Sequence, residues 1–165
     1  MKKNIEQLSI IKLVGISACT SNALEFSQNN GKISKIMQKF FTGGMQSQIP
    51  NQKTPTKVFA VYTDYKSDEH GYYTYFLGKE VDNFDNISQD FSSLIIPNQT
   101  YMKFTSNPGK IPEVVTDMWQ SIWQMNVRSL GGKRAFIADF EIYDERNRDP
   151  DKSIVDIYIG LKSTI

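Results

Sequence analysis

Apolar and polar positions along this chain recur with two periods, one of two residues and one between three and four. The first, in runs rich in Ile, Val, Tyr and Phe, predicts strands at roughly 7–19, 56–65 and 71–80, and again near 99–106, 134–143 and 154–162. The second predicts a helix at roughly 30–41, ended by Gly43-Gly44, and another at roughly 109–126. In the latter, Ile111, Val114, Val115, Met118, Trp119 and Ile122 make one buried stripe. Residues 128–132 read as a turn. Residues 82–98, with Asn83, Asp85, Asn86 and Pro97, read as a connection.

Each half therefore reads strand, helix, strand, strand, and the halves resemble one another. Gly31-Lys32-Ile33 recurs as Gly109-Lys110-Ile111, an offset of 78. The same offset lays Val58 to Tyr65 on Phe136 to Tyr143, so that Thr63 meets Glu141 and Tyr65 meets Tyr143. Tyr75-Phe76-Leu77-Gly78 resembles Ile157-Tyr158-Ile159-Gly160 at an offset of 82. The expected fold class is α+β: an antiparallel sheet of two pseudo-symmetric strand–helix–strand–strand repeats, about 7–81 and 99–162, with both helices on one side and a central ligand cleft.

Alternation along the strands assigns faces. Phe136, Ala138, Phe140 and Ile142 form a wholly apolar row, expected under the helices; so do Val155, Ile157, Ile159 and Leu161. The opposite rows, Ile137-Asp139-Glu141-Tyr143 and Ile154-Asp156-Tyr158-Gly160, mix carboxylates with aromatics, and the repeat adds Thr63, Tyr65 and Phe76 to them. Such a face is either an ordinary solvated side of a sheet or the wall of a cleft where two halves meet.

Composition removes several functions. With 39% hydrophobic and 22% charged residues over 165 positions, the chain has ordinary globular proportions and fits one domain. Nineteen basic residues stand against 18 acidic, so duplex nucleic acid finds no electrostatic support. Cys19 is the single cysteine and His70 the single histidine, which excludes an internal disulfide and multi-cysteine metal sites. No cofactor is expected. Gly31-Lys32 lacks the earlier glycine of a phosphate loop, and Asp68-Glu69-His70 and Asp144 to Asp151 read as hairpin turns. Met1-Lys2-Lys3 and the apolar stretch ending at Cys19 mimic a lipoprotein signal, but Glu6 and Lys12 interrupt it, so a first strand and a cytoplasmic chain are expected. No run approaches the ~18 apolar residues of a membrane helix.

Several segments, in order, resemble the gyrase-inhibitor-like effector-binding family, the ligand-sensing domain type of multidrug-responsive transcription activators. They are Leu13-Val14-Gly15-Ile16 leading to Thr20-Ser21-Asn22, Tyr75 to Val81, Ile95-Ile96-Pro97 with Gln99-Thr100-Tyr101, Trp119 to Trp123, Asp139 to Asp144 and Ile157 to Lys162. The resemblance covers nearly the whole chain and implies a single effector-binding domain, 1–165. It implies a pocket for lipophilic, cationic compounds with Glu141 as the charged group, in the Phe-Glu-x-Tyr pattern. Tyr143, Tyr158, Phe76 and Trp123 are its aromatic candidates, with Thr63 and Tyr65 beside them; Trp119 is expected in the core. With the first strand beginning near residue 7, no room is left for a helix-turn-helix, so the free-standing form is expected. Binding without chemistry and hydrolysis of strained electrophilic compounds both remain open, since both need the same glutamate. A protein partner, such as a regulator or a topoisomerase, rests on the resemblance alone.

Overall fold

The computed structural model describes residues 1–27 and 29–163. Their strands are β1 (Lys2–Leu8), β2 (Ile11–Ser21), β3 (Val58–Thr63), β4 (Tyr72–Glu80), β5 (Ser92–Ile96), β6 (Gln99–Thr105), β7 (Ala138–Tyr143) and β8 (Asp156–Leu161). All pair antiparallel in one sheet, in the order β1-β6-β8-β7-β3-β4-β2-β5. The α-helices among the described residues are α1 (Asn22–Phe26), α2 (Ile33–Phe41), α3 (Glu113–Trp123) and α4 (Val127–Leu130). Strand, helix, strand, strand thus occurs twice, as β2-α2-β3-β4 and β6-α3-β7-β8. The halves join where β3 pairs with β7.

Two expectations are corrected at the ends of the strand order. The single first strand is two strands, broken at Ser9-Ile10, and the connection 82–98 contains β5. Leu8 faces Gln99 on one side of the break and Ile11 faces Ile96 on the other, so one register runs through the kinks of both chains. Three peptide steps span about 11 Å at most. The two ends of the strand order are therefore neighbours, and the sheet closes on itself. Tight curvature needs small residues where strands approach. Gly15 faces Gly78 between β2 and β4, and a side chain on Gly15 would collide with the Leu77 carbonyl.

A closed sheet has an inside, and the inside must be apolar. Leu13, Phe59, Val61, Phe76, Tyr101, Phe140 and Tyr158 fill it, with Phe140 stacked on Tyr158 at 4.6 Å between ring centres. The outside carries both long helices, each over its own core. Phe40 of α2 packs on Val14, Tyr75 and Leu77. Met118, Trp119 and Ile122 of α3 pack on Phe104, Ile157 and Ile159. Both helices lie on one side, as the pattern predicted, but the β7 faces are reversed. Ala138, Phe140 and Ile142 point into the closed sheet, while Asp139, Glu141 and Tyr143 point toward the helices. Phe136 leaves the apolar row altogether. Its φ of 53° breaks the alternation, and its ring packs on Tyr65 and under the Arg134 guanidinium.

A buried carboxylate between two helices

Glu141 stands at the middle of β7 and retains 1% of its exposure. On the neighbouring strand its partner is Ala60, whose methyl leaves the space above the carboxylate to larger residues. Three neutral groups donate into that space. The Tyr62 hydroxyl, from β3, and the Trp119 indole Nε1, from α3, both donate to Oε2 at 2.7 Å. The Tyr143 hydroxyl, two residues along the same face, donates to Oε1 at 2.6 Å. Among the described residues no basic side chain lies within 4.0 Å of this carboxylate. Burial pushes the Glu141 carboxyl above its ordinary range, against the three hydrogen bonds that pull it down. Burial first, and the Glu141 charge second, push the Tyr62 and Tyr143 hydroxyls up, so both stay protonated donors.

One rung away, Asp139 is fully buried and differently treated. Arg134 Nη2 and the Tyr65 hydroxyl each reach Oδ2 at 2.6 Å, and the Gly160 amide donates to Oδ1 at 2.8 Å. The Tyr65 hydroxyl is pushed up by burial and then by Asp139. Asp139 is thus a structural carboxylate paired with Arg134, while Glu141 is a buried carboxylate without a counter-ion among the described residues.

Above this floor the gap between α2 and α3 holds two adjoining cavities. The smaller, about 180 Å³, is walled by aromatic rings from Phe26 to Tyr65, with Glu25, Glu69 and Arg134 at its polar side. The larger, about 520 Å³, is mainly apolar, with Met37, Phe41, Val58, Leu77 and Pro112 among its walls, and Glu141 and Tyr143 line it too. Ile33, Tyr62, Val115 and Thr116 line both and form the waist. The waist depends on where α2 begins. Glu25 of α1 fixes this: its carboxylate accepts the amides of Lys32 and Ile33 at 2.8 and 3.1 Å and the Thr20 hydroxyl at 2.6 Å.

Of the residues singled out from sequence, Glu141, Tyr143, Trp123 and Tyr65 border this gap. Tyr65 reaches it because Asp64, at φ 50°, breaks the alternation after β3. Thr63, Phe76 and Tyr158 do not. Thr63 pairs with Ala138 and bonds the Ile137 carbonyl, and Phe76 and Tyr158 lie inside the closed sheet. The offset of 78 is responsible for Thr63. Tyr62, not Thr63, shares the outer face with Glu141, so a face-preserving offset here must be odd, and a one-residue slip reverses every side chain. Tyr62 escapes the sequence reading for that reason; Tyr73 escapes it because the site was expected on the opposite face of β4, the one that carries Phe76. Trp119 does pack in the core, and its indole also serves Glu141.

Residues 4–161 match the Cass2 family, described as integron-associated effector binding protein. The chain belongs to this family. A Bacillus subtilis (strain 168) protein, YobU, whose name proposes a transcriptional regulator, is 29% identical over 159 residues, covering 96% of this chain and 97% of YobU. Two solved structures share the Cass2-type fold. The integron cassette protein from the mobile metagenome of Vibrio cholerae has a TM-score of 0.75 at 24% identity, covering 97% of this chain and 95% of the other. SAV2435 bound to tetraphenylphosphonium has a TM-score of 0.79 at 18% identity, covering 99% and 95%. No helix among the described residues is long and apolar enough to cross a membrane.

Proposed function

We propose that this Cass2-family chain is an effector-binding protein for lipophilic cations, held between α2 and α3 over Glu141, and that it passes their presence to a transcriptional response. One observation carries the reading: a buried carboxylate whose described partners are all neutral donors. An uncompensated charge in an apolar site is costly, and a cation entering the gap relieves that cost. Tyr and Trp faces add about 0.5–2 kcal/mol of cation–π attraction each. SAV2435, a structural neighbour, holds a cation of this kind, and YobU is named on the side of regulation.

Hydrolysis finds less support here. A carboxylate has about four lone-pair sites, and three donors already engage Glu141. A role in activating water would confine Glu141 to the single site those donors leave.

The test is a pair of probes matched in shape and opposite in charge. Tetraphenylphosphonium should bind at micromolar concentration in a calorimetric titration. Tetraphenylborate should not. Equal binding of both would reduce the gap to an apolar hole and refute the proposal.

A further inference from the structure

The two cavities differ in a way that describes the shape of the effector. Six rings line the smaller cavity in a continuous series. Phe26 meets Trp123 at 6.2 Å, Trp123 meets Trp119 at 6.1 Å, and Trp119 meets Tyr62 at 5.1 Å between ring centres. Tyr62 meets Tyr73 at 5.5 Å, and Tyr73 meets Tyr65 at 6.0 Å. Such a run of aromatic rings suits a fully substituted ammonium, which has no donor to offer and is attracted by the quadrupoles. Two of the rings, Tyr62 and Trp119, donate to Glu141, and that carboxylate makes them richer in electrons.

The charges around this cavity point the same way. Glu25 and Glu69 line it, and the one cation among its described lining residues, Arg134, is committed to Asp139 at 2.6 Å and lies 4.0 Å from Glu69. Burial pushes the Tyr73 hydroxyl up, then Glu25 and Glu141 do so as well, which puts this ring in the field of both carboxylates. The larger cavity, beyond the waist, offers aliphatic and aromatic walls from Met37, Phe41, Leu77 and Pro112.

On the reading of this gap as a cation site, we propose that the effector is a head-and-tail amphiphile. A compact quaternary ammonium head sits in the six-ring cage, and a lipophilic tail passes the Tyr62–Val115 waist into the larger cavity. A cavity of about 180 Å³ accepts a trimethylammonium group but not a centre bearing four phenyl rings. Tetraphenylphosphonium is then confined to the larger cavity.

The experiment titrates the full chain, by tryptophan fluorescence and calorimetry, with tetramethylammonium, with hexyl- and octyltrimethylammonium below micelle formation, and with tetraphenylphosphonium. Octyl should bind more tightly than hexyl by about fourfold per methylene. Phe26→Ala, at a ring that is 65% exposed and carries little of the fold, and Trp123→Ala should each weaken octyltrimethylammonium about three- to thirtyfold. Tetraphenylphosphonium affinity should change less than twofold in both. Met37→Trp, which fills the larger cavity, should erase the gain with tail length and leave tetramethylammonium unchanged. Tail-independent binding, or equal losses for both cation shapes in the two cage variants, overturns the head-and-tail assignment while the cation reading stands. Absence of binding by every cation to the wild type overturns both.

Discussion

The indole Nε1 of Trp119 donates to Oε2 of Glu141 at 2.7 Å, joining the stripe of α3 to the centre of β7. The contact makes one residue both a core residue and a site residue. Trp119→Phe keeps a ring in the core and removes the donor. It should cost about 1–3 kcal/mol in urea unfolding, as expected for a buried acceptor that loses a partner. It should also raise the pH at which cation binding is half lost, because one of the three bonds that favour ionised Glu141 is gone.

The pH dependence of stability follows from the same residue. Folding raises the Glu141 carboxyl above its unfolded value of about 4.5, chiefly through burial. The folded state therefore holds this proton more tightly than the unfolded chain. The resulting stabilisation is full below about pH 4.5 and is lost as pH rises through the folded value. Glu141→Gln lacks it. The stability of the wild type relative to Glu141→Gln should fall as pH rises from 4 toward neutrality, in denaturant titrations without ligand. A constant difference across that range would contradict the proposed burial cost.

Cation binding runs the other way with pH. It needs the ionised carboxylate, so affinity should weaken as pH falls through the folded Glu141 value. Titrations of tetraphenylphosphonium at several pH values should show this in the wild type and not in Glu141→Gln.

Asp139 should behave as a structural carboxylate. It is fully buried against Arg134, Tyr65 and the Gly160 amide. Asp139→Ala strands the Arg134 charge, which is itself largely buried, and should cost about 3–5 kcal/mol of stability. Thermal and denaturant unfolding measure this directly.

Tyr158 distinguishes the closed sheet from the gap. Its ring stacks on Phe140 inside the sheet. Tyr158→Ala should cost about 3–5 kcal/mol, whereas Tyr158→Phe should leave cation affinity unchanged. A loss of affinity in Tyr158→Phe would place this ring in the binding site.

The elements themselves were legible because their periods are clean: the α3 stripe from Ile111 to Ile122 and the duplicated strand–helix–strand–strand order both recur in the structure. The faces were not, for a physical reason. Alternation separates Phe140 from Glu141 but does not say which of them looks at a helix. That depends on whether the sheet closes, and closure rests on one register carried through the kinks at Ser9-Ile10 and Pro97-Asn98, a long-range pairing with no local signature. Glu141 and Tyr143 were found through the Phe-Glu-x-Tyr pattern. Tyr62 was lost to an even repeat offset, and Phe26 because α1, five residues long, leaves no periodic trace.

The most direct test of Glu141 as the charge that selects cations is a four-way titration of wild type and Glu141→Gln with tetraphenylphosphonium and tetraphenylborate. The substitution keeps size and removes charge. It should weaken phosphonium binding by about 1.5–3 kcal/mol, roughly ten- to a hundredfold, and should not weaken binding of the borate. An unchanged phosphonium affinity, or equal losses for both ions, would contradict the account.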